Sequence, residues 1–291
     1  MKPHCENNMN FLKSIYVMLY ITALIIISIF AGMKAIESEH VIAWLGVLLT
    51  TAPFMTVLMW MMAIKNISRT SSRLPIISIM ALIGLVMTLW SWNQQQASFL
   101  AVKLAAAGLI GFLIYSYWYS SFAKRSSKIM FGKPLPSFSL QNTKGDIISS
   151  ANFIGQANVI MFYRGNWCPL CMAQIKKIAA QYKALKAANV RVILVSPQPH
   201  KNTISLAKKF DAGLEFYTDE GNKTARALGI KHSFGVPMGM QALGYDSETV
   251  LPTVVITDAK GKVIWLHETD NYRIRPDPKV FLEVLHEHGI G

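Results

Sequence analysis

Cys168 and Cys171 stand two residues apart in the stretch YRGNWCPLCMAQIKK, which begins at Tyr163. Two thiols at that spacing lie one turn apart on a helix, close enough to form a disulfide or to share a metal ion. Pro169 suits the first position of a helix, where its missing N–H removes no hydrogen bond, and this puts Cys168 at the N-cap. Unpaired backbone N–H groups and the positive end of the helix dipole then face that sulfur and favour thiolate. Arg164, just upstream, adds positive charge, and Trp167 covers the pair. On this reading Cys168 is the attacking thiolate. Cys171 is the resolving thiol, able to attack a mixed disulfide or a sulfenic acid on its neighbour.

A zinc site needs four ligands, hence a second ligand pair at a usable spacing. The histidines of this half, His200, His232, His267, His286 and His288, form no such pair, and the third cysteine, Cys5, is a bystander near the N-terminus. No metal and no other cofactor are expected.

The elements that must position the thiols follow from periodicity. The run NVIMFY, residues 158–163, reads as a buried strand ending just before them. From Pro169, residues Ile175, Ile178, Ala179, Tyr182 and Leu185 share one face, with lysines opposite, as on an amphipathic helix. VRVILVS (190–196) is the next strand and TISLAKKF the next helix, with a further short helix over 219–228. TVVITD, a turn at Ala259-Lys260-Gly261 and KVIWLH make a β-hairpin, and residues 278–288 close as a helix. Upstream, a short strand precedes a turn at Lys144-Gly145-Asp146. The order predicts an α/β domain with a mixed sheet flanked by helices.

The first 130 residues differ in texture. They carry ten Lys/Arg and three Asp/Glu, against nineteen and thirteen afterwards. Residues 14–32, 41–64, 75–92 and 98–119 are apolar runs without a polar face, each long enough to cross a roughly 30 Å hydrocarbon layer. Lys103 sits at an edge and can snorkel, and tryptophans cluster near the ends. The expectation is a four-helix membrane region over 1–130 and a soluble domain over 131–291. Basic residues alternate rich and poor along the connecting segments: Lys2 and Lys13; Lys34 against Glu37 and Glu39; Lys65, Arg69 and Arg73; none; then Lys124, Arg125, Lys128 and Lys133. That alternation puts both termini, and the thiols, on the cytoplasmic side of a multi-pass protein. The excess positive charge thus belongs to a lipid bilayer partner, and no aromatic-interleaved basic patch points to nucleic acid. The spans hold no Asp, Glu or His, so they read as an anchor or docking module, with Gly84, Gly108 and Gly111 as packing positions.

FYRGNWCPLC, with GKPLPSFSLQNTKGDIIS before it and LPTVVITDAKGKVIW and HETDNYRIRPDPKVFLEVL after it, resembles the peroxiredoxin-like group of the AhpC/TSA family, a redoxin branch of thioredoxin-fold proteins. The resemblance covers residues 131–290. It implies a thioredoxin-like fold and an oxidoreductase acting by thiol-disulfide exchange or thiol-dependent peroxide reduction. Its partners would be a thiol-disulfide protein or a hydroperoxide, with a soluble thioredoxin- or glutathione-type reductant. Two registers coexist. In the peroxiredoxin pattern P-x-x-x-T-x-x-C, Arg164 takes the proline position, Cys168 the threonine position and Cys171 the peroxidatic position. In the thioredoxin pattern W-C-x-x-C, Trp167 and Cys168 lead and the first cysteine attacks. The peroxiredoxin arginine before the later strand is replaced by Pro252, which matches the cis-proline of thioredoxins and would shape a substrate groove. Arg164, Arg226 and Arg273 are candidates to replace that arginine, although Arg226 reads as a solvated helix charge. Disulfide exchange is the leading expectation, hydroperoxide reduction the alternative, and a membrane redox sensor or docking protein a third.

Overall fold

The computed structural model describes residues 3–37, 40–96, 98–122, 127–210 and 213–290. Lys2, Glu39, Lys124 and Arg125, used above to orient the chain, lie outside them. Two compact units form, one of residues 15–64 and 70–121, the other of 1–14, 65–69 and 122–291.

Four helices dominate the first part: α1 (Pro3–Glu37), α2 (Val41–Ile64), α3 (Pro75–Asn93) and α4 (Phe99–Leu113), the last continued by a π-helical segment, Ile114–Tyr119. All four are long and apolar enough to cross a membrane. α1 begins well before the predicted apolar run, because nothing between Pro3 and Lys13 breaks a helix. Small residues let α2 approach its neighbours. A Cβ on Gly46 would lie 2.6 Å from the Gly84 carbonyl oxygen, and one on Gly108 equally close to Thr50 Oγ1. Thr88 Oγ1 donates across α2/α3 to the Ala43 carbonyl at 3.2 Å, a polar bond inside an otherwise apolar interface. Large apolar side chains such as Ile26, Ile29, Met59, Ile76 and Val86 are exposed on the outside of the helices.

The second part is an α/β fold around a seven-stranded mixed sheet. Its elements are β1 (Ser139–Gln141), β2 (Ile147–Ser149), β3 (Ala157–Phe162), α5 (Pro169–Ala187), β4 (Val190–Ser196), α6 (His200–Lys209) and β5 (Glu215–Thr218). There follow α7 (Lys223–Leu228), β6 (Lys231–His232), β7 (Thr249–Val250), β8 (Thr253–Thr257), β9 (Val263–Glu268) and α8 (Lys279–Glu287). The order across the sheet is β2-β1-β5-β4-β3-β8-β9, and β6 pairs with β7 separately. β3, β4 and β5 run parallel, joined through α5 and α6, while β8 returns antiparallel to β3. Every residue of β3 and β8 is buried, the pattern of central strands covered on both faces. One face packs on a core that includes Phe138, Ile160, Phe162, Val195, Leu228 and Val255. The predicted strands and helices form, with β2, β5, β6 and β7 additional to them.

Candidate functional site

The thiols sit where β3 ends. Phe162 is the last strand residue, paired with Thr253 of β8, and Tyr163 still donates its N–H to the Val195 carbonyl at 2.9 Å. The chain then turns sharply at Gly165, φ +144°, a conformation side chains avoid, and the Trp167 indole fills the space where a Cβ would stand. Cys168 is extended, φ −86° and ψ 111°, and its carbonyl accepts the N–H of Met172 at 3.1 Å. Pro169 takes the first turn of α5 as expected. Cys171 follows within that turn, so the spacing brings the two sulfurs together.

Side chains from four other segments clamp this loop. Gln198 accepts the Asn166 N–H at 2.8 Å and donates to the Tyr163 hydroxyl at 3.2 Å. Tyr245 donates to Asn166 Oδ1 and accepts from Asn202 at 3.0 Å. Thr249 donates to the Arg164 carbonyl at 2.8 Å. Arg164 itself is buried, donates to the Gly235 carbonyl, and has its guanidinium over the rings of Trp167, at 4.9 Å, and Tyr272, at 5.4 Å. Burial pushes the Tyr163 phenol above the usual range, so it stays protonated.

The two thiols are free and hydrogen-bonded to each other. Cys168 makes no side-chain cap bond to the helix. Its hydrogen bond to Cys171, together with burial, pushes it well above the ordinary thiol range. Burial also opposes ionisation of Cys171, but the Cys168 S–H, the Arg275 guanidinium and the backbone N–H of Arg164 outweigh it and lower that thiol to about 6. Arg275 Nη2 lies 3.8 Å from the Cys171 sulfur. The coupled pair gives up one proton readily, and the Arg275 guanidinium favours the charge on Cys171. The expected thiolate was the N-cap sulfur; that side chain makes no cap bond to α5, and the guanidinium reaches the other sulfur.

Arg275 comes from the segment between β9 and α8, and the sequence reading passed over it. Its only signal was the arginine-rich tail NYRIRP. Of the three arginines named instead, Arg164 joins the site, Arg273 is buried in the same tail, and Arg226 pairs with Glu248 at 2.8 Å on the surface. Pro252 is buried immediately before Thr253, next to the end of β3. The described residues contain no cis peptide bond, so the expected cis-proline is trans here. Cys168 is 2% exposed and Cys171 0%. A reactant must therefore be small, or the loops over the pair must part.

Residues 131–266 match the AhpC/TSA family. The chain is similar to the chloroplastic peroxiredoxin Q of Populus jackii, 27% identical over 197 residues, covering 66% of this chain and 82% of the relative. It is also similar to the thiol-disulfide oxidoreductase ResA of Bacillus subtilis, 24% identical over 156 residues, covering 54% and 76%. Among solved structures, peroxidoxin BcpB from Mycobacterium tuberculosis aligns with 55% of this chain and 97% of its own, at 16% identity and a TM-score of 0.45. Residues 131–266 are thus an AhpC/TSA redoxin domain, an oxidoreductase with peroxiredoxin and thiol-disulfide oxidoreductase relatives.

Proposed function

We propose that this AhpC/TSA redoxin domain is a thiol-dependent hydroperoxide reductase, tethered to a bilayer by the four apolar helices. Cys171 is the attacking sulfur and Cys168 the resolving one. The observation that carries this reading is the Cys171 sulfur, inaccessible to bulky groups with the Arg275 guanidinium 3.8 Å away, a cation that favours its thiolate. The thiolate attacks the terminal oxygen of the hydroperoxide, the O–O bond breaks, and the alcohol leaves with a proton. The resulting sulfenic acid condenses with Cys168, releasing water and forming the disulfide. A soluble thioredoxin- or glutathione-type thiol returns two electrons and two protons. Arg164 and Pro169 hold the loop, and Trp167 screens the pair from water.

A second reading, dithiol exchange with a disulfide-bearing protein, is supported by the W-C-x-x-C order and by Pro252 buried beside the end of β3. Purified full-length protein in detergent separates the two: hydroperoxide consumption should exceed reduction of a protein disulfide under the same regenerating system. Loss of neither activity in Cys171→Ser refutes both readings.

The membrane region spans residues 1–130 and the redoxin domain 131–291, with both termini on the cytoplasmic side. The alternation of basic residues supports that orientation. Single cysteines placed in the segments after α1 and after α3 should label from outside the cell, and one placed after α2 should not; the reverse pattern refutes it.

A further inference from the structure

Two guanidiniums lie buried beside the sulfurs, and among the described residues neither has a carboxylate ion-pair partner. Arg164 and Arg275 are each 4% exposed. Arg164 bonds the Gly235 carbonyl, and its Nε has no partner. Arg275 donates from Nε to the Tyr272 carbonyl at 2.8 Å and from Nη2 to Cys171. Among the described residues, the ion pairs formed by Asp and Glu involve neither arginine. Carbonyl oxygens and ring faces solvate a guanidinium but leave its charge uncancelled. The anion facing Arg275 is the reduced sulfur itself. Closing the Cys168–Cys171 disulfide neutralises that anion and leaves both cations buried and uncompensated, which the fold resists. Reduction restores the balance.

We propose that Arg275, with Arg164 behind it, is a positioning residue that sets the redox poise, making Cys168–Cys171 an oxidising couple whose disulfide is the high-energy state. A dithiol–disulfide pair becomes a strong oxidant when its reduced form is the stabilised one. This rests on the dithiol cycle proposed above and adds a direction to it. The pair reduces ordinary protein disulfides poorly and takes up oxidising equivalents only from a reagent as strong as a hydroperoxide. It passes them to an external dithiol, which is oxidised to its own disulfide while Cys168 and Cys171 regain two electrons and two protons. The reaction class upstream therefore makes hydroperoxides, and the class downstream regenerates a low-potential dithiol.

The test equilibrates full-length protein, in a Cys5→Ser background, with glutathione buffers of graded ratio. Acid quenching and maleimide gel shift then give the oxidised fraction. The unaltered protein should be predominantly dithiol in a buffer of mostly reduced glutathione. Arg275→Gln, which removes the charge and leaves a shorter polar amide, should move the equilibrium at least tenfold toward disulfide, equivalent to 29.6 mV. Arg275→Lys should restore part of that shift, and the ultraviolet thiolate signal should titrate later in Arg275→Gln than in the parent. An unshifted or oppositely shifted equilibrium in Arg275→Gln overturns the inference while the cycle stands. If Arg275→Gln fails to fold, a parent protein that is predominantly disulfide in the same buffer overturns it. A parent whose cysteines never join as a disulfide overturns the cycle and this inference together.

Discussion

Replacing Cys168 by alanine removes the S–H that donates to the Cys171 sulfur and leaves Arg275 in place. A hydrogen bond to a charged acceptor contributes about 1.5–3 kcal/mol. At 1.36 kcal/mol per pKa unit, that is about 1–2 units. Arg275, 3.8 Å from the sulfur, supplies a gross attraction of about 4 kcal/mol at an effective dielectric near 20, so it limits the rise without preventing it. The thiolate midpoint, about 6 in the parent, should therefore move to about 7–8 in Cys168→Ala. Ultraviolet thiolate absorbance against pH reads it directly, with Cys5→Ser in every sample. Cys171→Ala is the converse: the acidic thiolate should vanish, because the sulfur beside the guanidinium is gone. If Cys171→Ala keeps a midpoint near that of the parent while Cys168→Ala abolishes it, the charge sits on Cys168 and the reasoning fails.

Hydroperoxide consumption should rise with pH through about 6 and level off above, following the Cys171 thiolate, and a profile with its midpoint at the ordinary thiol value would contradict this. The same depressed value makes the reduced protein gain stability as pH rises from about 6 toward 9, since the unfolded chain holds that proton longer; thermal melts of the parent but not of Cys171→Ser should show the gain. Gly165→Ala should destabilise by about 1–3 kcal/mol and displace Trp167, seen as altered indole fluorescence and slower peroxide turnover; an unchanged melt would remove the backbone argument. Gly84→Leu should loosen α3 from α2 and lower stability in detergent by about 1–3 kcal/mol, leaving the thiolate titration unchanged.

The four apolar helices were legible because each lacks a polar face, a property of composition that no tertiary partner alters. β3 and the start of α5 were legible for a related reason: a largely apolar run stops where Gly165 and Pro169 impose a turn and a helix start. β5 escaped because four residues, Glu215–Thr218, carry little pattern of their own and become a strand only through parallel pairing with β4. The two-residue β6 and β7 escaped likewise. Arg275 was beyond local reading. It meets Cys171 across 104 residues of chain, and nothing nearby distinguishes it from Arg273. The choice between the two sulfurs has the same root. The helix-dipole argument is local and favours Cys168, whereas the deciding charges arrive from a distant segment and act on Cys171.

The central claim is that Cys171 meets the oxidant and Cys168 resolves it. Reduced full-length protein treated with one equivalent of hydroperoxide, then mapped by mass spectrometry with a sulfenic-acid trap, tests it most directly. The parent should give a Cys168–Cys171 disulfide, and Cys168→Ser should carry the trap on Cys171. A trap found on Cys168 in Cys171→Ser, with none on Cys171 in the companion variant, would contradict the account.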